Sequence, residues 1–211
     1  MYAITGITGR VGGVAAEALL AAGHQVRAVA RDASKVQKFQ DIAIAEVSDT
    51  EALTQAFQGV QAVFIMIPPN WAPSPGYPET RAVIASLKSA LQAAKVPKVV
   101  ALSSIGAQRD RGLGLIAQLH IMEQEFQDLD ADVAFIRAGW FMENAQFDVA
   151  IAKEKGEFET CLSPLDHPFP MIATRDIGEW VARTLTEAWS GKRVIELEGP
   201  ARYSPVENAR I

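Results

Sequence analysis

Cysteine is almost missing from this chain. Cys161 stands alone among 211 residues, so no intrachain disulfide, zinc cage or CxxC redox pair can form, and a reducing cytoplasm is the expected compartment. Tyrosine is scarce as well, at Tyr2, Tyr77 and Tyr203 only. No run of lysine and arginine marks a track for phosphates, and with 20 basic against 25 acidic residues the net charge is -5; nucleic-acid binding is not expected. Apolar stretches such as residues 60–69 fall far short of the roughly 20 residues that a membrane helix needs, so no membrane span is expected. The first strand starts at Tyr2 and leaves no room for a charged n-region, an apolar h-region and a cleavage site, so no export signal is expected either. What remains is the composition of a packed globular core, 49% hydrophobic and 21% charged, at a length that favours one domain spanning residues 1–211.

Within that core, short β-branched or aliphatic runs alternate with longer stretches of helical apolar spacing. Strands are expected at residues 2–5, 25–30, 42–47, 62–67, 98–103 and 133–138, and helices at 10–22, 34–39, 50–58, 78–94 and 115–129. The alternation predicts an α/β fold with a doubly wound parallel sheet, Rossmann-like, whose strands are apolar enough to be buried on both faces. Beyond residue 138 the pattern loosens. A strand at 170–173, a helix at 175–189 and a strand at 194–198 follow, and residues 140–211 are expected to supply part of a substrate side. Residues 68–78 hold five of the eleven prolines and follow the fourth strand directly, as a stiff loop over the carboxyl edge where ligands of such sheets bind.

The segment Gly6-Ile7-Thr8-Gly9-Arg10-Val11-Gly12 sits between the first strand and the first helix, the setting of a dinucleotide fingerprint. Gly6 would permit the tight turn, Gly9 would let the backbone approach a pyrophosphate, and Gly12 would let the helix pack on the strand. Free N–H groups at the helix start would face the negative charge. The alternative is a tight turn that binds nothing. After the second strand comes Arg31-Asp32. An NAD site places a carboxylate there for the ribose hydroxyls, whereas Arg31, with Arg10 and the added charge of Lys35, would form a planar fork on a 2′-phosphate and select NADP(H). The competing assignment makes Asp32 the ribose ligand and Arg31 a solvated charge.

The chain resembles the NmrA-like, atypical short-chain dehydrogenase/reductases that bind NAD(P)H. The resemblance rests on Thr5-Gly-Ile-Thr-Gly-Arg-Val-Gly12, Val63-Phe-Ile-Met-Ile-Pro-Pro69, Leu102-Ser-Ser-Ile-Gly-Ala107, Ile136-Arg-Ala-Gly-Trp-Phe-Met-Glu-Asn144, Ile172-Ala-Thr-Arg-Asp-Ile-Gly178 and Glu196-Leu-Glu-Gly-Pro200. It implies that Met66, Ile67 and Pro68 lie along the cofactor, that Glu46 and Val47 approach the adenine, and that Ser103 and Ser104 lie near the nicotinamide. Without it, Met66 reads as core and the two serines as a strand end.

Two departures stand out. Carbonyl reducers of the wider superfamily use a Tyr-x-x-x-Lys pair, and the helix expected to carry it, Leu115-Ile-Ala-Gln-Leu-His-Ile-Met-Glu123, has neither residue. This disfavours a reduction that needs a strong general acid. It leaves electron-poor acceptors such as quinones or azo compounds, whose product anions water can protonate. His120 is the one candidate acid or polar anchor on that helix, against the alternative of a half-exposed histidine without a role. The family also continues well past Gly199-Pro200, so the C-terminal portion, ending at Ile211, reads as truncated. Trp140 and Phe141 either wall a substrate pocket or pack in the core. The expected function is an NADPH-dependent oxidoreductase acting on a small-molecule acceptor; the alternative is an NADP(H)-binding redox sensor without turnover.

Overall fold

The computed structural model describes residues 1–157 and 159–210. In chain order it begins β1 (Tyr2–Ile4), α1 (Arg10–Ala21), β2 (Val26–Ala30), β3 (Asp41–Ile44), α2 (Thr50–Phe57), β4 (Ala62–Ile65) and α3 (Pro78–Ala93). There follow β5 (Lys98–Ser104), α4 (Ala117–Glu125), β6 (Asp132–Ala138), β7 (Trp140–Phe141) and α5 (Ala145–Lys155). The chain closes with β8 (Phe169–Ile172), α6 (Thr174–Thr186), β9 (Lys192–Leu197), β10 (Arg202–Tyr203) and α7 (Pro205–Asn208).

Seven strands form one sheet in the order β3-β2-β1-β4-β5-β6-β9, and every pairing in it is parallel. From β1 the chain builds outward to β3, then returns to the other side of β1 and builds outward through β4, β5 and β6. This reversal leaves a crevice at the carboxyl ends of β1 and β4, the place where such sheets bind ligands. The doubly wound parallel sheet expected from the alternation is therefore what the chain forms.

Side chains alternate across each strand, and β4 shows the consequence. Ala62 and Phe64 join the core on the side of α1 and α6, while Val63 and Ile65 join the core under α2, α3 and α4. All four residues are buried, which accounts for the uninterrupted apolar run. On the first face α1 and α6 lie in close contact: a Cβ on Gly178 would stand 2.6 Å from the Val14 Cβ and 2.9 Å from the Val11 carbonyl oxygen.

A second, three-stranded sheet has the order β10-β8-β7. It is held to the main sheet where Gly139 N–H donates to the Leu197 carbonyl at 2.8 Å and Gly199 N–H to the Met171 carbonyl. Only its middle strand was expected from the sequence, since two-residue strands carry no alternation to read. The helix α5 was not expected either; Val149 and Ile151 on it are exposed. The helix expected at 34–39 is a single 3-10 turn, Ala33–Lys35, capped by Asp32. The helix expected at 115–129 begins as a 3-10 turn, Gly114–Ile116, before α4.

Candidate functional site

The carboxyl ends of β1 and β4 are tied by one side chain. The buried Thr5 hydroxyl donates to the Phe64 carbonyl at 2.9 Å and accepts from the Met66 N–H at 3.2 Å. The chain then turns at Gly6, whose φ of +60° is open to glycine and strained for other residues. Gly9 N–H closes the turn on the Gly6 carbonyl at 2.9 Å. A Cβ on Gly12 would stand 2.5 Å from that same carbonyl oxygen, so α1 can begin directly against the turn only with glycine there.

At the start of α1 no side chain caps the helix and its first turn holds no acidic residue. The backbone donors thus keep both their direction and an uncompensated positive end. Beside them lies a cavity of about 520 Å³, with Ile7, Thr8, Gly9 and Arg10 on one side and Lys35, Lys38 and Phe39 on the other. Open backbone N–H groups, a glycine-lined approach and basic side chains are the donor set that a dinucleotide with an extra phosphate requires. These residues fit NADP(H).

The structure brings Arg10 and Lys35 to this cavity, whose lining does not include Arg31. The Arg10 guanidinium donates to the Glu143 carbonyl at 3.3 Å and to Gln146 Oε1 at 2.7 Å, which links the glycine turn to the segment after β7. Arg31 is exposed at the end of β2. Asp32 is occupied locally: its Oδ1 accepts from the Ser34 hydroxyl at 2.7 Å and the Ser34 N–H at 2.9 Å. Those bonds hold its carboxyl below the usual range. Lys38 pairs with Glu17 at 2.8 Å. Glu46 and Val47 follow β3 on the same edge, where Ala45 N–H donates to the Ala30 carbonyl at 3.0 Å.

On the other side of the crevice Met66 packs on Gly6, so closely that a Cβ there would stand 2.3 Å from the Met66 sulfur. Ile67 is buried, and Pro68 opens the proline loop. A smaller cavity of about 210 Å³ lies between this loop and α3, lined by Ile67, Pro68, Asn70, Thr80 and Val83 among others. Ser103 and Ser104 end β5 and differ in environment. The Ser103 hydroxyl is buried and donates to Glu123, whereas Ser104, half-buried, donates to the Ile105 carbonyl at 3.0 Å. The His120 Nδ1 lies 2.7 Å from the Ala107 carbonyl oxygen. That contact assigns the ring proton to Nδ1 and leaves Nε2 as the other ring nitrogen. Trp140 and Phe141 are half-buried in β7, with Trp140 beside Met171 and Phe141 beside Ile172 in β8.

Three polar residues that organise this region were not singled out from the sequence. Glu143 accepts from the Thr174 N–H at 3.0 Å and the Thr174 hydroxyl at 2.7 Å, so its carboxylate sits on the start of α6. Glu123, 2% exposed, forms a two-pronged ion pair with Arg137 at 3.0 and 2.7 Å. Gln118, 3% exposed, accepts from the Asn70 N–H at 3.2 Å and the Thr80 hydroxyl at 3.0 Å, and donates to the Asn70 carbonyl at 2.9 Å. Glu143 stands inside one of the quoted motifs, which is a signal of a kind. On a short helix, Gln118 and Glu123 look like surface residues until the fold buries them.

Fold and crevice together define a dinucleotide-binding α/β protein. The chain belongs to the NAD(P)H-binding family, whose profile matches residues 6–188, and NAD(P)H is its cofactor. It is 26% identical to an NAD(P)H azoreductase of Xenophilus azovorans, over 99% of this chain and 71% of that protein. It is 29% identical to quinone oxidoreductase 2 of Escherichia coli, strain K12, over 97% of this chain and 70% of that protein. Among solved structures, the NADPH-dependent quinone oxidoreductase of Escherichia coli in complex with NADPH superposes with a TM-score of 0.82 at 26% identity, covering 97% and 71% of the two chains. The triphenylmethane reductase of Citrobacter superposes with a TM-score of 0.77 at 18% identity, over 96% and 71%, and shares the fold. Among the described residues no helix is long and apolar enough to cross a membrane.

Proposed function

We propose that the protein is an NADPH-dependent oxidoreductase that reduces a small, electron-poor acceptor, a quinone or an azo compound, held beside loop 68–78. The bound dinucleotide supplies a hydride at its nicotinamide; a proton from solvent completes the reduction, giving hydroquinone or hydrazo product and the oxidised cofactor. The chain supplies orientation and electrostatics. The backbone N–H groups at the start of α1 hold the pyrophosphate, Met66, Ile67 and Pro68 flank the cofactor's length, and Ser104 stands at the nicotinamide end. Trp140 and Phe141, with the rest of residues 140–211, form the acceptor side. His120 is proposed as the polar anchor through Nε2, or, with both ring nitrogens protonated, as the acid that passes on the solvent proton.

The observation that carries the preference for NADPH is the occupation of Asp32. Its carboxylate holds the turn at Ser34, while Arg31 beside it is exposed and has no hydrogen bond or ion pair among the described residues. An exposed guanidinium at a ribose position suits a 2′-phosphate, and a carboxylate tied to its own turn is a poor partner for ribose hydroxyls. Relatives named as an NAD(P)H azoreductase and a quinone oxidoreductase support the acceptor class. The free, exposed thiol of Cys161 suits a reducing cytoplasm.

Parallel titrations with NADPH and NADH test the cofactor assignment. The protein should bind NADPH more tightly, and Arg31→Ala should remove about ten- to a hundredfold of NADPH affinity, as expected for loss of a charge-assisted bond, with NADH affinity unchanged. Equal binding of both nucleotides by the parent protein would return the ribose to Asp32. Tight NADPH binding with no turnover of any quinone or azo acceptor would favour a redox sensor.

A further inference from the structure

We propose that Gln118 is a positioning residue for the acceptor, an amide clamp that fixes loop 68–78 against α4 and α3. This rests on the acceptor docking beside that loop, as proposed above. The geometry is that of a built joint. Both backbone polar groups of Asn70 are engaged by one side chain: its N–H donates to Gln118 Oε1 at 3.2 Å, and its carbonyl accepts from Gln118 Nε2 at 2.9 Å. The same Oε1 accepts from the buried hydroxyl of Thr80 at 3.0 Å, in the first turn of α3. One amide thus joins α4, the loop and α3, and Gln118 and Thr80 are both buried, so the bond between them is stronger, and costs more to break, than one in water.

Nothing else described here holds the near end of the loop as firmly. Asn70 stands four residues beyond Met66, which packs on Gly6, and its own Oδ1 accepts from the Ala72 N–H at 3.1 Å. Trp71, between them, is 76% exposed. The far end is secured separately, by the Ser74 N–H and hydroxyl on Glu79. Prolines restrict the loop's internal freedom but do not fix its place. Gln118 supplies that place, on the helix that also carries His120 two residues later. Loss of the clamp frees the loop beyond Pro68 and lowers acceptor affinity, while the glycine turn, with Met66 and Ile67 ahead of the loop, keeps its grip on the nucleotide.

Two variants of the full chain test this. Gln118→Met keeps the side chain's length and removes every polar contact. Gln118→Glu keeps them only while the new carboxyl is protonated, since the neutral acid both accepts and donates, and burial raises its pKa. Hydrogen exchange at the Asn70 amide, the dissociation constant for NADPH, and KM and kcat for a quinone and an azo dye are the readouts. With Gln118→Met, Asn70 exchange should rise about tenfold, KM should rise about three- to tenfold, as expected for the loss of one or two hydrogen bonds, and NADPH affinity should hold. With Gln118→Glu, KM should match the parent at low pH and climb as pH rises. Unchanged Asn70 exchange, an unchanged KM, or an NADPH affinity that falls in step with KM would each overturn the clamp. A parent protein that reduces neither acceptor overturns the function on which it rests; a parent that reduces them with KM indifferent to Gln118 overturns this inference alone.

Discussion

Gly6 meets two separate demands, and they can be told apart. Its φ of +60° is a region that other residues enter at a cost, and its missing Cβ makes room for the Met66 sulfur, which would otherwise stand 2.3 Å away. Gly6→Ala should therefore lower the melting temperature and abolish tight NADPH binding, with about 1–3 kcal/mol attributable to the backbone. Pairing it with Met66→Ala should recover the steric part and leave the backbone part. Full recovery in the double variant, followed by calorimetry and nucleotide titration, would show that only the contact matters. This turn was legible in the sequence because three glycines between a strand and a helix have few other uses. Arg10 was not: its type fits a phosphate ligand, but Glu143 and Gln146 are 133 and 136 residues away in the chain, and no local pattern shows where its guanidinium turns.

At the scale of elements, α6 is the piece whose start depends on another part of the chain. Its N-cap residue Ala173 offers no side-chain cap, and Glu143 takes that place from the segment after β7. Burial pushes the Glu143 carboxyl up, but the Thr174 hydroxyl and N–H and the nearby Arg10 outweigh it, so its pKa lies below the ordinary 4.5. A depressed folded-state pKa means that the ionised group stabilises the fold above the unfolded value, and that this contribution fades as pH falls through the folded value. Glu143→Gln should thus be less stable by about 1 kcal/mol at neutral pH, the scale of a helix cap. The difference should shrink below pH 4.5 and vanish once Glu143 is protonated. Denaturant titrations across that range check it; a deficit that does not change with pH would assign the loss to shape instead of charge.

The same scale shows why some elements could be read and others could not. The six strands expected before residue 140 are present; five are mostly buried and so print as apolar runs, as in β4, whereas β3 stands at the sheet's edge with Ile42 and Ile44 exposed, where burial on both faces was expected. The helix α6 was readable because Ile177, Val181 and Leu185 recur on one buried face. The helix α5 exposes Val149 and Ile151, and β7 and β10 are two residues each. β7 meets β8 next to a close approach at Gly139, where a Cβ would stand 2.7 Å from the Pro170 carbonyl oxygen. That is a tertiary fact with no local signature.

Across the whole molecule, one crevice gathers contributions from both halves of the sheet. The first half brings the glycine turn, Arg31 and the basic cavity; the second brings loop 68–78, the end of β5 and the strands after residue 138. The nucleotide half was visible in the sequence, since it is local and its chemistry needs glycine and positive charge. The half proposed for the acceptor was visible only as a proline-rich loop and a missing Tyr-x-x-x-Lys pair, because the groups that organise it, Gln118, Glu123 and Glu143, are polar residues whose contacts arise from packing. An acceptor that needs no strong protein acid is consistent with a crevice ordered by hydrogen bonds and prolines. The measurement that tests this most directly is the rate of NADPH oxidation by the purified protein, with and without a saturating quinone. Slow oxidation alone and acceptor-dependent consumption of NADPH, with one hydroquinone formed per NADPH, are the expected result. Tight NADPH binding with a rate unmoved by quinones and azo dyes alike would contradict it.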